Sequence, residues 1–327
     1  MLSNTKFAPI ILFTYNRLDH TRTVVESLLE NAEAVYSDLY IFSDGPKSPA
    51  DKQKVAKTRL YLHVVKEKYS LESYASGNSN IINGFKSVTL IERDCNWGLY
   101  KNIINGVTDI INRYGRVIVV EDDIIVSRYF LQYMNDALAM YENDGRIASV
   151  SAFLNPVKCN VPESFFLSYF ACWGWATWKR AWDLLETDSR KMLKELRWKT
   201  NKFNIGGTGP FYGILYCHNM KYYDSWAILF YTSCFLKNKL HLFPGRTMAI
   251  QSGMDGSGTN CVTSDIYSNM NLSDKPIMLK DIEVVQNKTM YKAFSDFYAL
   301  SSHPESLRFK YNRFKSFVRR LIGIDYR

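Results

Sequence analysis

The chain has 327 residues, of which 46% are hydrophobic and 22% are charged, and its 41 Lys and Arg outnumber its 32 Asp and Glu. This share of hydrophobic residues can build a sizeable core, which excludes a chain dominated by disorder. No apolar run reaches the roughly 20 residues that cross a bilayer, and the run near the N-terminus is too short for a signal peptide, so we expect a cytoplasmic location.

The first half of the chain alternates short apolar strands with helices. Strands are predicted at residues 9–15, 38–46, 87–93 and 117–121. Helices are predicted after the first strand and at residues 52–69, 98–114 and about 127–141. Apolar strands separated by helices predict an α/β fold, in which a mostly parallel sheet carries helices on both faces.

Polar residues follow each of these four strands. They are Thr14, Tyr15, Asn16 and Arg17 after the first strand, Ser43 and Asp44 after the second, Glu92, Arg93 and Asp94 after the third, and Glu121, Asp122 and Asp123 after the fourth. Ligands of parallel sheets bind beyond the carboxyl ends of the strands. We therefore expect these residues to form one rim around a binding site.

Three consecutive acids, Glu121, Asp122 and Asp123, close the most apolar strand of this basic chain. Two unit charges about 4 Å apart repel by roughly 4 kcal/mol at an effective dielectric near 20, so a cation or a hydroxyl-rich ligand between them would stabilise the cluster. Neighbouring strand side chains point to opposite faces. We therefore expect one carboxylate to bind Mn²⁺ or Mg²⁺ and the others to meet ligand hydroxyls. The alternative is a solvated strand end that caps the next helix.

Aromatic residues are concentrated after about residue 153. Trp173, Trp178 and Trp182 are expected in the core, whereas Trp175, which follows Gly174, is predicted to contact a ligand.

Asp224 precedes an apolar helical run and stands two residues before Trp226. An acid at this position is typical of a helix N-cap. The alternative is a general base held at the helix start, and neither role excludes the other. Downstream, residues 251–260 are rich in Gly and Ser, which indicates either a flexible loop or a glycine-hinged lid over a ligand.

The five histidines and six cysteines show no metal-ligand spacing, so the histidines are interpreted as structural and the cysteines as free thiols. The C-terminal residues 305–327 are predicted to form a basic amphipathic helix, which is typical of binding to an anionic membrane surface. Nucleic-acid binding and a solvated terminal helix are the alternatives. We expect a peripheral position at the inner face of the cell membrane and no nucleic-acid partner.

Several segments, in the same order along residues 8–260, resemble GT-A fold nucleotide-sugar glycosyltransferases. The resemblance is to family 2 enzymes and to the eukaryotic N-acetylglucosaminyltransferase type that initiates complex N-glycans. The segments are PIILFTYNR, YIFSDG, CNWGLYKNIINGV, VVEDDIIVSRYF, CWGWATWKRAW and YYDSW.

This resemblance implies roles for individual residues. By position, Asp123 resembles the metal ligand, and Glu121 and Asp122 resemble contacts to the donor sugar and ribose. Arg17 and Asp44 stand where the family binds the nucleotide, with Asp44 placed to hydrogen-bond a uracil base, and Thr14 and Tyr15 lie beside them. Asp224 corresponds to the catalytic base, and the stretch around residues 253–260 to a loop that the donor orders.

The resemblance also implies an activity and an organisation. We expect an inverting, metal-dependent transfer from a nucleotide-sugar, with UDP as the expected nucleotide, to a hydroxyl of a glycan or lipid-linked glycan in surface polysaccharide or lipopolysaccharide synthesis. Residues 1–153 would bind the nucleotide-sugar, residues 154–270 would form a smaller acceptor and catalytic half of the same domain, and residues 271–327 a C-terminal extension. The alternatives are a non-catalytic GT-A shell and a metal-independent glycoside hydrolase.

Overall fold

The computed structural model describes residues 7–71, 83–253, 267 and 270–301, which form ten strands and ten α-helices. The strands are β1 (Ile10–Thr14), β2 (Asp38–Ser43), β3 (Ser87–Glu92), β4 (Arg116–Glu121), β5 (Ile124–Val126), β6 (Ile147–Ser151), β7 (Ser164–Leu167), β8 (Trp175–Trp178), β9 (Leu240–Pro244) and β10 (Ala249–Gln251). The helices are α1 (Leu18–Leu29), α2 (Pro49–Tyr69), α3 (Gly98–Tyr114), α4 (Phe130–Met140), α5 (Lys179–Trp182), α6 (Ser189–Glu195), α7 (Thr200–Phe203), α8 (Phe211–Asn219), α9 (Trp226–Leu236) and α10 (Lys288–Ser301).

Eight of these strands form one sheet in the order β3-β2-β1-β4-β8-β6-β9-β7. The first four are parallel to one another, and β9 is parallel to β6. β8 is antiparallel to both of its neighbours, and β7 is antiparallel to β9. The predicted α/β fold with a mostly parallel sheet is therefore confirmed. Strands from residues 1–153 and from residues 154–270 belong to the same sheet.

The sheet carries a hydrophobic core on each face. Successive residues of β1 point to opposite faces, so Ile11 and Phe13 join one core, and Ile10 and Leu12 join the other. α3 covers the first face through residues at helical spacing, and α1 and α4 cover the second. Burying a side chain of this size stabilises the fold by about 1.5–3 kcal/mol. These layers hold the carboxyl ends of β1, β2 and β4 at one edge of the sheet.

The chain leaves the sheet at the acid triplet. β4 ends at Glu121, and Asp122 and Asp123 form a turn. The chain then enters β5, which pairs antiparallel with β10 in a separate two-stranded sheet. The turn frees the acids from the alternation of a strand, so their side chains can converge.

Helix boundaries follow local signals. α3 has the bounds expected from its apolar periodicity, and it ends at Gly115, whose φ of 79° is in the left-handed region and whose N–H donates to Ile111 O at 2.8 Å. α4 begins at Phe130, three residues later than expected. Among the described residues no helix is both long and apolar enough to span a bilayer. The predicted C-terminal basic helix, residues 305–327, lies outside the described residues.

Candidate functional site

The predicted rim exists at the carboxyl ends of the first strands. In the sheet, Phe13 of β1 is opposite Glu121 of β4, and Thr14 is opposite Ser43 of β2. The residues that follow these strands therefore start from neighbouring points. They meet because β1 pairs with both β2 and β4, and β4 lies about a hundred residues further along the chain.

Arg17 is the centre of this rim. Its Nη2 donates to Asp122 Oδ1 at 2.5 Å and to Asp123 Oδ2 at 2.8 Å. Tyr15 contributes its backbone N–H, which donates to Asp122 Oδ2 at 3.2 Å. Both aspartates are nearly buried, with exposed fractions of 4% and 6%. The structure thus brings together four of the predicted site residues, and we call Arg17, Asp122 and Asp123 the acid–arginine cluster.

The cluster carries more negative than positive charge. Burial, together with the charges of Asp123 and Asp122, raises the pKa of Glu121 to about 8. Burial also raises the pKa of Asp122, although Arg17 opposes this shift. Burial disfavours the Arg17 charge, but the two aspartates outweigh it and raise the pKa of Arg17 above its ordinary value. With both aspartates ionised, one guanidinium compensates only one of the two carboxylate charges that it contacts.

Two buried polar atoms of the rim make no hydrogen bond to any described residue. They are Thr14 Oγ1 and Arg17 Nη1. A buried polar group without a partner costs about 1–3 kcal/mol, so a ligand that bonded to these atoms would recover that cost. Their position beside the acid–arginine cluster fits an oxygen-rich ligand such as a phosphate or a ribose.

Asp44 is also buried, with an exposed fraction of 5%. Its Oδ1 accepts from the N–H groups of Gly45 and Trp97, at 2.9 and 2.8 Å. Its Oδ2 accepts from Gly98 N–H at 2.9 Å and from Asn96 Nδ2 at 3.1 Å. Four donors occupy the carboxylate, so Asp44 organises the N-terminus of α3, a role that the sequence analysis did not predict.

Arg59, on α2, is a rim residue that sequence reasoning missed. Its Nη2 donates to three backbone carbonyl oxygens, those of Ser43, Asp44 and Arg93, at 3.3, 3.2 and 2.6 Å. It therefore ties the ends of β2 and β3 together beneath the rim. In the sequence, the only indication of this role is that Arg59 stands four residues, about one helical turn, after Val55, which the structure buries.

The chain after β10 lies directly against the acid–arginine cluster. Ser252 N–H donates to Asp123 O at 2.8 Å. A Cβ on Gly253 would stand 2.5 Å from Asp123 Oδ2 and 2.9 Å from Arg17 Nη1, so only glycine fits without displacing them. The rest of the Gly- and Ser-rich stretch, residues 254–260, lies outside the described residues.

Trp175 does not line the rim. β8 lies between β4 and β6 in the sheet, and the Trp175 side chain is fully buried. Its ring stacks on Trp226 with centroids 5.1 Å apart. The contact of Trp175 with a ligand stays a prediction, to which its full burial within the covered central sheet gives no support. Trp178 and Trp182 are buried as expected.

Asp224 lies just before α9, with 68% of its side chain exposed. The N-cap of α9 is Ser225, whose Oγ accepts from Ile228 N–H at 3.4 Å. The interpretation of Asp224 as the N-cap is therefore wrong, because the next residue takes that position. The Asp224 carboxylate remains directed to solvent and available to a ligand.

His218, at the end of α8, lies beneath Asp224. Its Nδ1 accepts the N–H of Ser225 at 3.1 Å and lies 3.9 Å from Asp224 Oδ1. Burial lowers the pKa of His218, although Asp224 opposes this shift, so the ring is neutral and fixes the backbone next to Asp224. Its ring centroid is 5.6 Å from that of Tyr100 on α3. The helix that Asp44 organises thus reaches the neighbourhood of Asp224.

The donor atoms of the rim fit a divalent ion that a nucleotide completes. The described residues contain no group of three His, Cys, Asp or Glu arranged to hold a metal. Mg²⁺ in nucleotide sites is usually bound by one or two carboxylates, with waters and substrate phosphates as the other ligands. Asp122 and Asp123 provide carboxylate oxygens of this kind at a turn.

Two comparisons with known proteins leave the function open. A search of curated protein sequences finds no match. Among solved structures, TarS of S. aureus is 15% identical, with a TM-score of 0.29, over 48% of this chain and 23% of that chain. The chain thus spans about a quarter of that structure, and so low a score carries no conclusion.

A model described as the GNT-I family matches residues 2–194, which is more than half of the chain. The matched region contains the acid–arginine cluster, Asp44 and α3. The chain therefore belongs to the GNT-I family, a family of glycosyltransferases related to N-acetylglucosaminyltransferase I.

Proposed function

We propose that this protein is an inverting, metal-dependent glycosyltransferase that moves a sugar from a nucleotide-sugar donor to a hydroxyl of a glycan. The observation that carries the proposal is the acid–arginine cluster at the carboxyl ends of β1 and β4 in a member of the GNT-I family. A nucleotide-sugar bound with a divalent ion brings both a cation and a diphosphate. The carboxylates of the cluster can bind the cation, and its guanidinium can bind the diphosphate.

On the donor side, Arg17 and Thr14 would bind the nucleotide through Nη1 and Oγ1, the atoms that lack a partner. Asp44 would act through the backbone that it orders around Asn96 and Gly98. The bonds of Asn96 Nδ2 to Asp44 Oδ2 and Gly45 O leave its side-chain oxygen as an acceptor for a base. UDP is the nucleotide we expect.

Asp123 would hold the divalent ion, with Glu121 and Asp122 directed to the donor sugar and ribose. When bound there, Mn²⁺ or Mg²⁺ neutralises the negative charge that develops on the leaving diphosphate. Arg17 keeps Asp122 and Asp123 in a fixed orientation before any ligand arrives, so the site does not reorganise during the reaction.

Asp224 would be the general base. Its exposed carboxylate can accept the proton of the acceptor hydroxyl as that oxygen attacks the anomeric carbon from the face opposite the leaving group, which inverts the configuration. A carboxylate is a weak base, so proton transfer would accompany the attack rather than precede it. His218 would hold the backbone next to Asp224 in place through its bond to Ser225.

For the acceptor, we propose a glycan or lipid-linked glycan of surface polysaccharide or lipopolysaccharide synthesis. The strongly basic composition supports an acceptor presented at an anionic surface, since the chain carries a formal charge of +9.

The test begins with a thermal-shift screen of nucleotide-sugars with and without Mn²⁺. We expect one nucleotide-sugar to raise the unfolding midpoint, and only when Mn²⁺ is present. With an acceptor added, the enzyme should release the nucleotide, and EDTA should stop this release. Release of sugar that is indifferent to EDTA would instead indicate a glycoside hydrolase. Donor binding without any turnover, in the wild type and in Asp224→Asn alike, would indicate a non-catalytic shell.

A further inference from the structure

The segment from α6 to α7 exposes a dense group of cations. Residues 190–202 contain six Lys and Arg and one acid, Glu195. All six basic side chains belong to exposed residues. We call the basic surface the set formed by Arg190, Lys194, Arg197, Trp198, Lys199 and Lys202.

The cations of the basic surface form no ion pair within the part of the chain that the structure describes. Lys191 pairs with Glu186 at 2.7 Å, and Asp188 caps α6 by accepting from Lys191 N–H. Arg190, Lys194, Arg197, Lys199 and Lys202 form no ion pair with any described carboxylate. Elsewhere on the surface, Lys179 and Lys292 are paired with acids one helical turn away. Five unpaired cations within thirteen residues are therefore available to an external anion.

A tryptophan stands in the middle of these cations. Trp198 is 87% exposed, more than any other large hydrophobic residue of the described chain. The Arg197 guanidinium lies 4.9 Å from the centre of its ring. Tryptophan side chains are enriched at membrane–water interfaces, where the ring meets the headgroup level and its N–H stays hydrated. An exposed Trp flanked by cations is thus suited to an anionic bilayer.

The basic surface is firmly attached to the catalytic half. Met192, Leu196 and Phe203 of the same segment are buried in the core. Ser189, at the start of α6, donates to Asn219 Oδ1 at 3.1 Å, and Asn219 is next to His218. The basic surface is therefore held on the framework that positions Asp224.

We propose that the basic surface docks the protein on anionic phospholipid headgroups, with Trp198 at the interface. Five cations and one aromatic anchor complement a surface of lipid phosphates, whereas a compact protein partner would need an apolar patch to fill its core. Docking through this surface would bring Asp224 close to a lipid-linked acceptor. That last step rests on the proposed function, while docking itself does not.

The experiment is sedimentation of the full chain with vesicles of phosphatidylglycerol and phosphatidylcholine, without any donor. Pure phosphatidylcholine vesicles are the neutral reference. The test variant carries Arg190→Gln, Lys194→Gln, Arg197→Gln and Lys199→Gln. The control variant carries Lys52→Gln, Lys54→Gln, Lys57→Gln and Lys66→Gln on α2, which removes the same charge from exposed residues of another face.

One basic residue near an anionic surface strengthens binding roughly fivefold, so we expect the test variant to bind at least tenfold more weakly and the control to change less. Trp198→Ala should weaken binding about threefold to tenfold, and brominated lipids should quench fluorescence of the wild type more than of Trp198→Ala. Because no donor is present, a failure of the proposed glycosyl transfer would leave these results unchanged.

Three results would overturn the proposal. The first is equal loss of binding in the test and control variants, which would indicate a response to net charge alone. The second is loss of vesicle binding when residues 305–327 are deleted, together with unchanged vesicle binding of the test variant. The third is binding of the basic surface to single-stranded nucleic acid with no binding to anionic vesicles. A folded test variant is verified by its thermal unfolding midpoint.

Discussion

The proposed donor edge, which comprises Arg17, Asp44, Asp122 and Asp123, and the Asp224 side of the site are built in different ways. At the donor edge, Asp44, Asp122 and Asp123 are nearly buried, and their carboxylates are bonded to Arg17 or to backbone N–H groups. On the other side, Asp224 is largely exposed, and Nδ1 of the neutral His218 ring lies 3.9 Å from its carboxylate. Under the proposed function, this contrast would suit an enzyme that binds its donor first and completes its site with the acceptor. Changes at the two sides should therefore have separate effects.

The largest effect is expected at Arg17. Arg17→Ala leaves Asp122 and Asp123 buried without a counter-ion, which should lower the free energy of unfolding by about 3–5 kcal/mol. The deficit should shrink at low pH, because burial raises the pKa of Asp122 and its protonated form needs no counter-ion. Urea unfolding measures it, with Arg22→Ala as the control, since Arg22 is half exposed, pairs with the exposed Asp19 and otherwise lies over the ring of Tyr61. A loss as small as that of the control would show that the donor edge is not preformed.

Asp224→Asn is the matching change on the acceptor side. It should lower kcat by a factor on the order of 10² and leave nucleotide binding and the unfolding midpoint unchanged, because the carboxylate is largely exposed. Asp183→Asn, another exposed aspartate, serves as the control in the same nucleotide-release assay. Unchanged kcat, or an equal loss of donor affinity, would remove Asp224 from the reaction.

Gly253→Ala sharpens the comparison at the donor edge. The added methyl group would collide with Asp123 Oδ2, so Mn²⁺-dependent nucleotide affinity should fall about tenfold, which is roughly 1.4 kcal/mol. Isothermal titration calorimetry measures the affinity. Gly213→Ala on α8, where a Cβ meets no atom within 4 Å, is the control and should bind as the wild type does. Equal affinities of both variants would contradict the close approach of Gly253 to the cluster.

The smallest effect is expected at His218. His218→Leu removes the acceptor of the Ser225 N–H and should lower kcat about fivefold, with the donor KM unchanged. His218→Asn should recover most of the rate, because its side-chain oxygen can take the place of Nδ1. In the Asp224→Asn background, neither change should matter further. A loss of rate by His218→Leu that persists in that background would make His218 a structural residue only.

Much of the fold could be predicted from sequence because its signals are local. The apolar runs at the first four strands and the periodicity of α3 each lie within one segment, and Gly115 ends α3 by its left-handed φ. The rim also follows from such signals, since polar residues at the ends of parallel strands meet at one edge. The roles predicted for Asp123 and Asp224 stay predictions.

The rest of the site depends on contacts between distant segments. Trp175 is buried because β8 joins the centre of the sheet, which its own sequence does not indicate. Asp44 finds its donors some fifty residues away, at Trp97 and Gly98. Arg59 reaches carbonyl oxygens at the ends of β2 and β3, and His218 reaches Ser225 only because the chain turns between α8 and α9. No spacing rule encodes such contacts.

The most direct test of the account is a Mn²⁺ titration followed by electron paramagnetic resonance, with and without UDP, on the wild type and on Asp123→Asn. We expect the wild type to bind Mn²⁺ together with UDP, and Asp123→Asn to lose at least tenfold in that affinity. The control Asp109→Asn changes an exposed acid of α3 and should behave as the wild type. Equal affinity of Asp123→Asn and the wild type for Mn²⁺ with UDP would contradict the claim that the acids after β4 bind the ion.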